Sequence, residues 1–388
     1  MTKTAFKAQG IFTEHGVVKD RYLLVSEGRF CGLAGRSEIP SEAQVIEHLH
    51  SYILPGLIDT HIHGAVGCDT MDASPESIQK IGDYLLSRGT TSFMPTTVTA
   101  PLKDIYNAIC NVKSCQSSSN TARILGMFIE GPYITAEHRG AHPKDCIRAL
   151  NRDELLEMAH CGPVKSVIIA PEKEHAAEYT HWLTQELGIK VSLGHSSAGY
   201  EDACRCFDLG ADASVHTYCG MSSLHHRSPN LLGAALTRDD VYAELIADGL
   251  HVSAPAMQIL LRCKPKDKLI LISDAIRAAG LADGRYMLGV MPFNVKDGVA
   301  RIDSGNIAGS TGTLLKEVKR LIEDVGTEPC DAVNAASLNP AKRYRLDDKI
   351  GSIKAGKYAD FIITNTKYEI EETWLGGRQV FVRNKPKT

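Results

Sequence analysis

Short apolar runs alternate with longer amphipathic stretches through the middle of this chain. The runs are rich in Ile, Leu and Val, and the stretches between them place apolar residues at helical spacing. Strands that alternate with helices are typical of a parallel sheet with helical crossovers, whose strands are buried on both faces. Eight runs fit this description: 53–59, 91–95, 124–129, 164–170, 190–193, 213–215, 242–246 and 269–273.

Eight strands in one block of sequence favour a closed (β/α)8 barrel of the TIM type over an open doubly wound sheet. The two ends of the chain have a different pattern, because short β-rich segments separated by glycines occur in both, for example at 22–25 and 358–363. This similarity predicts one small β-sandwich domain built from both termini. The expected organisation is a small β-domain from residues 1–53 and 347–388, with the barrel in residues 54–346.

The composition narrows the possible functions. The 388 residues carry a formal net charge of −3, with 43% hydrophobic and 23% charged residues, which is ordinary for a globular protein. We expect neither nucleic acid nor a membrane as a partner, because no basic excess is available to bind them. The first residues lack the apolar core of a signal peptide, so we expect a cytoplasmic protein. The 11 cysteines form no CxxC pair and are interpreted as reduced thiols.

Residues that can bind metals follow directly after the predicted strands. In a barrel, the carboxyl ends of all strands meet at one rim, where the active sites of barrel enzymes are built. Residues far apart in sequence would therefore share one pocket. They are His61 and His63 after the first strand, Glu130 after the third, His195 after the fifth, His216 after the sixth, His251 after the seventh and Asp274 after the eighth.

His61 and His63 fall on the same side of an extended segment, because side chains alternate along a strand. One metal ion could therefore bind both imidazoles. Such pairs also occur by chance, but Asp59 just before them and Gly64 just after them strengthen the prediction. We interpret this segment as a metal site or the remnant of one.

Glu130, His195 and His216 could each be structural if taken singly, as a helix cap or as hydrogen-bonded histidines. Together, two imidazoles and one carboxylate form a ligand set of the catalytic zinc type, with one position left for water. Asp274 ends a wholly apolar strand, where a carboxylate must be paired, metal-bound or functional. Because a carboxylate beside a metal-activated water can accept its proton, we predict that Asp274 is the catalytic acid/base.

Several motifs resemble those of the N-acetylglucosamine-6-phosphate deacetylases, a family of the amidohydrolase superfamily. The similarity covers nearly the whole chain, and it is specific when the motifs are taken together. The motifs are 55–59, 130–133, 140–143, 194–196, 216–221, 248–251, 273–275 and 308–310, and the segment 351–360 resembles the return into the small β-domain.

The resemblance implies removal of the acetyl group from N-acetyl-D-glucosamine 6-phosphate in amino-sugar catabolism. It implies that Glu130, His195 and His216 bind the principal divalent metal, with zinc expected first and iron, manganese or cobalt as alternatives. Some members of the family lack the histidine pair and hold one metal. This chain keeps His61 and His63 and could hold two per subunit.

The resemblance also assigns roles around the substrate. Asp274 would be the acid/base, His142 would polarise the acetyl carbonyl, and His251 and Arg227 would hold the phosphate. In the implied homodimer, Arg227 reaches the phosphate bound in the partner's site. The implied substrate-binding residues are Ala141, His142, Cys219, Gly220, Arg227, Asp248, His251, Ile307, Ala308 and Gly309.

Other functions stay open. Many relatives have Asn where this chain has Cys219, and a sister group that acts on N-acetylgalactosamine 6-phosphate shares nearly all the motifs. A cyclic amidase of the dihydroorotase type is a second alternative, but such enzymes commonly use a modified lysine of the fourth strand, whereas Glu130 follows the third. A third alternative is an inactive barrel that only binds or assembles. Retention of the metal ligands together with Asp274 argues against it.

Overall fold

The computed structural model describes residues 3–116 and 121–383. A parallel sheet with helices between its strands occupies the middle of the chain, so the predicted α/β class is confirmed. Its eight principal strands are Leu57–Ile62, Thr90–Pro95, Met127–Ile129, Val164–Ile169, Lys190–Leu193, Ala213–Ser214, Tyr242–Leu245 and Leu269–Leu271, and the short strand Arg123–Ile124 pairs with the second.

The first predicted run divides into two strands at Gly56. Residues up to Pro55 end a long strand, Gln44–Pro55, which belongs to a different sheet, and the parallel strand begins at Leu57. A Cβ atom at Gly56 would lie 2.2 Å from the Oγ1 of Thr91, so only glycine fits at this crossing. The prediction of one strand over 53–59 was wrong, because an apolar run does not indicate to which sheet each half belongs.

The parallel sheet curls strongly. Pairing between neighbouring strands forms two groups, one around the first and second strands and one from the third strand to the eighth. Two parallel bridges connect these groups, Thr96 with Phe128 and Ile62 with Ala275. The second bridge places the end of the first strand beside the end of the last, so residues far apart in sequence meet at the carboxyl ends of the strands.

The helices follow the amphipathic stretches. In Pro75–Leu86, the hydroxyl of Ser74 caps the first turn, and Ile78, Ile81 and Leu85 are buried on one face. No helix in the two described ranges is both long and apolar enough to cross a lipid bilayer. The α-helices are Pro75–Leu86, Leu102–Cys115, Arg152–Cys161, Ala176–Gln185, Tyr200–Asp208, Asn230–Thr237, Ala254–Cys263, Leu314–Arg320, Pro329–Ala335 and Leu338–Arg343.

Both ends of the chain contribute to a second sheet of eight strands. Its core is aromatic: the ring of Phe361 stacks on Trp374 with centroids 5.5 Å apart, and Phe6 packs against both rings edge-on. Pairing between strands from the two termini therefore depends on residues more than 300 positions apart in sequence. The strands are Thr4–Phe12, Val17–Val18, Tyr22–Ser26, Arg29–Ala34, Gln44–Pro55, Phe361–Asn365, Ile370–Leu375 and Arg378–Val382.

The segment of chain between the eighth parallel strand and the helix Leu314–Arg320 forms a small antiparallel sheet. Its strands are Gly284–Leu288, Met291–Lys296 and Val299–Ile302, and the alternation of strands and helices did not predict them. Leu288 and Phe293 share an apolar cluster with Ile276 and Ala308, which follow the eighth strand. The insertion therefore packs near the carboxyl ends of the parallel strands.

We expect Phe361→Ala to lower the free energy of unfolding by about 3–5 kcal/mol, because the ring is fully buried between two aromatic partners. Urea denaturation followed by tryptophan fluorescence measures this change. Val382→Ala in the last strand is the control, since Val382 is 50% exposed and its truncation should change stability by at most about 0.5 kcal/mol. Similar losses in the two variants would contradict the role of the aromatic core.

Candidate active site

Glu130 lies at the centre of a buried group of ligands at the carboxyl ends of the parallel strands. Its Oε1 atom is 3.2 Å from Nε2 of His195 and 3.2 Å from Nε2 of His216, and its Oε2 atom is 3.0 Å from Nε2 of His63. The predicted metal ligands are therefore brought together. They form two groups, Glu130 with His195 and His216, and His61 with His63 and Asp274, and within each group the ligand atoms lie within 4.8 Å of one another.

The backbone turns abruptly where these ligands follow their strands. His195, His216 and Asp274 have φ angles of 47°, 25° and 46°, and Gly131, directly after Glu130, has a φ of 70°. Residues other than glycine rarely adopt this left-handed conformation, which costs about 1–3 kcal/mol and is concentrated at functional sites. The strain at three ligand positions supports a functional role for this face of the sheet.

The hydrogen bonds of His195 and His216 define which nitrogen carries the proton. Nδ1 of His195 lies 2.7 Å from the carbonyl oxygen of His138, and Nδ1 of His216 lies 3.1 Å from that of Cys219. A carbonyl oxygen only accepts, so each Nδ1 is protonated and each Nε2 presents a lone pair. The two Nε2 atoms are 3.0 Å apart and both face Glu130. Electron-rich atoms this close need a cation between them, so these residues fit a divalent metal.

The second group, His61 with His63 and Asp274, also combines imidazoles with a carboxylate. Nδ1 of His63 lies 3.3 Å from the carbonyl oxygen of Thr96, and its Nε2 lies 3.1 Å from Oδ1 of Asp274. Nε2 of His61 is buried and has no hydrogen-bond partner among the described residues. Burial lowers the pKa of His63, but hydrogen bonds to Asp274 and Glu130 raise this pKa to about 10. This part of the site favours a positive charge, and its ligands fit a second metal ion.

His142 has the opposite proton arrangement. The backbone amide of Thr99 donates to Nδ1 of His142 at 3.1 Å, so Nδ1 accepts and Nε2 carries the proton. Burial lowers the pKa of His142 to about 4, which keeps the ring neutral at neutral pH. Nε2 lies 3.5 Å from Oε2 of Glu130. His142 therefore presents a neutral N–H donor beside the metal ligands.

His251 is paired with an acidic neighbour. Its Nδ1 lies 2.7 Å from Oδ2 of Asp248, whose other oxygen accepts the backbone amides of Leu250 and His251. Burial lowers the pKa of His251, but the hydrogen bond that its ring donates to Asp248 raises this pKa above its usual value. A ring of this kind can hold a positive charge near an anionic group of a ligand.

Most of the predicted substrate-binding residues line one cavity beside the metal ligands. Arg227 does not, because in its own chain it is exposed and its Nη1 atom contacts Nε2 of His226 at 2.8 Å. Leu288 of the inserted sheet also lines the cavity, and nothing in the sequence distinguished it from other apolar residues. The predicted residues in the lining are Ala141, His142, Cys219, Gly220, His251, Ile307 and Gly309, whereas Ala308 is buried and Asp248 contacts His251.

The sequence model of the amidohydrolase family matches residues 52–380 of this chain. This chain belongs to that family. The match spans the parallel sheet and both groups of metal ligands, so the strands and the candidate site of this amidohydrolase lie within the part of the chain that carries the family's features.

Individual relatives agree with the resemblance that the motifs indicate, which is thereby confirmed. An N-acetylgalactosamine-6-phosphate deacetylase from Escherichia coli O157:H7 is 37% identical over 96% of this chain and 98% of its own length. An N-acetylglucosamine-6-phosphate deacetylase from Vibrio furnissii is 40% identical over 85% of this chain and 83% of its own length. The crystal structure of the N-acetylglucosamine-6-phosphate deacetylase from Pasteurella multocida superposes with a TM-score of 0.92 at 28% identity, covering 97% of this chain and 99% of that one.

We expect Glu130→Gln and His195→Ala to lose the principal metal, because Glu130 faces the Nε2 atoms of His195 and His216 and His195 supplies one of these two lone pairs. We expect a variant with His61→Ala and His63→Ala to contain less metal but to retain an ion at Glu130, His195 and His216. Elemental analysis of the purified variants after dialysis measures both effects. Full metal content in the Glu130 or His195 variant would contradict the assignment.

Proposed function

We propose that this amidohydrolase hydrolyses N-acetyl-D-glucosamine 6-phosphate to D-glucosamine 6-phosphate and acetate. The observation that carries the proposal is one cavity lined by metal ligands, by the carboxylate of Asp274 and by the neutral N–H donor of His142. Hydrolysis of an amide needs an activated water, an acid/base that moves its proton and a donor to the carbonyl oxygen. Two relatives named N-acetylglucosamine-6-phosphate deacetylase, from Vibrio furnissii and Bacillus subtilis, match 85% and 96% of this chain.

Each residue of the cavity has a distinct task in the proposed reaction. A divalent cation held by Glu130, His195 and His216 would supply a water of lowered pKa and a positive charge beside the acetyl oxygen. Asp274 takes the proton of the attacking water and passes it to the nitrogen of the departing amine. His142 donates from Nε2 to the acetyl oxygen, where negative charge develops.

Recognition of the 6-phosphate is assigned to His251 and Arg227. His251 lines the cavity, and its pairing with Asp248 raises its pKa, which favours the positively charged ring. Arg227 is exposed beside Leu224, which is itself 52% exposed. These side chains are suited to an interface in which Arg227 enters the cavity of a second subunit, so we propose a homodimer with shared sites.

The galacto-configured sugar is the second candidate substrate. The Escherichia coli relative named for it matches 96% of the chain, and the cavity is lined by Cys219, at the position where the family resemblance implies Asn in many relatives. Acetate release from the two N-acetylhexosamine 6-phosphates, measured side by side with the metal-loaded enzyme, tests the proposal. We expect the higher kcat/KM with the gluco sugar. A higher value with the galacto sugar would reassign the substrate, and release from neither would overturn the deacetylase function.

A cyclic amidase of the dihydroorotase type is not favoured by the fourth strand. Its one lysine, Lys165, is exposed near the start of the strand, whereas the ligands lie at the carboxyl ends. Glu130 instead faces His195 of the first group through Oε1 and His63 of the second group through Oε2, so it would contribute to both metal sites. We therefore retain the deacetylase function, with zinc as the first expected metal and iron, manganese or cobalt as alternatives.

The finer features of the fold are part of this proposal. We propose that the curled sheet is a closed (β/α)8 barrel, since bridges join its two groups of strands. The strands from both termini would form a small β-sandwich domain around the cluster of Phe6, Phe361 and Trp374. The site residues keep the roles given above, and the expected location of the enzyme is the cytoplasm.

We expect Asp274→Asn to lower kcat by at least about 100-fold, the usual scale for the loss of a positioned acid/base. The amide keeps the size of the side chain, so the fold should be preserved. Steady-state kinetics of the variant, together with its metal content and thermal unfolding, measure the effect. Near-normal turnover in a fully metal-loaded variant would refute the assignment of Asp274.

Mixed dimers test the shared site. We expect Arg227→Ala and Asp274→Asn homodimers each to be nearly inactive, while a dimer with one chain of each kind has one complete site. The chain that retains Asp274 then receives Arg227 from its partner, so roughly half of the wild-type activity should return, as an isologous interface requires. No recovery, with heterodimers verified by differential tags, would show that Arg227 does not act across the interface.

A further inference from the structure

Two fully buried charged residues lie behind the candidate metal ligands. Arg343, at the end of the helix Leu338–Arg343, and Glu244, in the strand Tyr242–Leu245, are paired through Nη1 and Oε1 at 2.7 Å. Arg343 also contacts Asp212 at 2.9 Å and Ser192 at 2.7 Å. Both paired side chains have no exposed surface, and neither residue lines the cavity.

The second oxygen of Glu244 points to a metal ligand. Its Oε2 atom lies 3.5 Å from Nδ1 of His61. In this respect His61 differs from the other three histidines of the metal groups, whose Nδ1 atoms are held by backbone carbonyls. The ring of His61 also packs edge-on against Phe128, with centroids 4.9 Å apart. The orientation of His61 thus depends on a side chain, and that side chain is fixed by a buried arginine.

We propose that Glu244, anchored by Arg343, is a positioning residue that holds His61 for the metal of the His61, His63 and Asp274 group. The inference rests on the proposed metal-dependent function. A carboxylate that accepts from Nδ1 keeps the lone pair of Nε2 directed at the ion and raises the basicity of the imidazole. Residues with this relation to a metal ligand typically change metal affinity by about 10–100-fold when they are replaced.

A purely structural role is the alternative. Burying an ion pair costs free energy of desolvation, which often cancels its attraction, so stability alone is a weak reason for this arrangement. Arg343 also pairs with a second anion, Asp212. If the network only braces the strands, loss of either carboxylate should have the same effect. If Glu244 positions His61, only the loss of Glu244 should change metal binding.

The test titrates the metal-free full chain with Zn²⁺ in competition with a chromophoric chelator, which gives the number and affinity of the bound ions. Glu244→Gln removes the charge next to His61 at constant size. Asp212→Asn is the matched control, because it removes the other anion of Arg343 without touching a ligand. His61→Ala identifies the ion held by the second group. Glu244→Asp, which keeps a charge for Arg343 but shortens the reach to His61, serves if Glu244→Gln does not fold.

We expect wild-type protein to bind two Zn²⁺ ions, one of which is lost in His61→Ala. The Glu244 variants should lower the affinity for that same ion by about 10–100-fold and leave the affinity for the other ion unchanged. Asp212→Asn should change neither affinity. Equal effects of the Glu244 and Asp212 variants, or equal weakening of both ions by the Glu244 variants, would overturn the proposal. Binding of only one ion, with an affinity that His61→Ala does not change, would also overturn the proposal. Acetate release by the wild-type enzyme, measured separately, would then show whether the deacetylase function still stands.

Discussion

The candidate site depends on the contacts between the carboxylate of Glu130 and the histidines around it. This carboxylate is buried among the imidazoles of His61, His63, His195 and His216, and both of its oxygens are used. Burial alone raises the pKa of Glu130, but the positive charge of His61 and the hydrogen bond from His142 hold this pKa well below its usual range. A negative charge in a buried place requires a compensating cation. A divalent metal ion held by the two groups of ligands would provide that positive charge.

The hydrogen bonds behind the ligands matter as much as the ligands. Carbonyl oxygens fix Nδ1 of His195 and His216 as donors and leave lone pairs at Nε2, whereas the amide of Thr99 makes Nδ1 of His142 an acceptor and leaves a proton at Nε2. Side chains of the same type therefore present a lone pair in one case and an N–H donor in the other. Glu244 adds a third kind of support, from a buried carboxylate to His61.

The fold accepts strain and unusual burial in order to place these groups. Left-handed backbone at His195, His216 and Asp274 ends their strands abruptly, and the fully buried Arg343 contacts Ser192, Asp212 and Glu244. The stacked strands and their apolar core are rigid enough to hold such features, since the ligands follow strands rather than lying in long free loops. The antiparallel insertion contributes Leu288 to the cavity.

The sequence by itself determined the α/β class, most of the parallel strands and the residues at their carboxyl ends. These depend on local patterning, because an apolar strand followed by His61, Glu130 or Asp274 can be recognised within ten residues. Only the tertiary structure decided that Gly56 separates two sheets, that Leu288 reaches the cavity, that Arg227 lies outside its own site and that Glu244 and Arg343 stand behind His61. Those relations join residues far apart in the chain, and hydrogen bonds that fix a proton on one nitrogen have no counterpart in residue spacing.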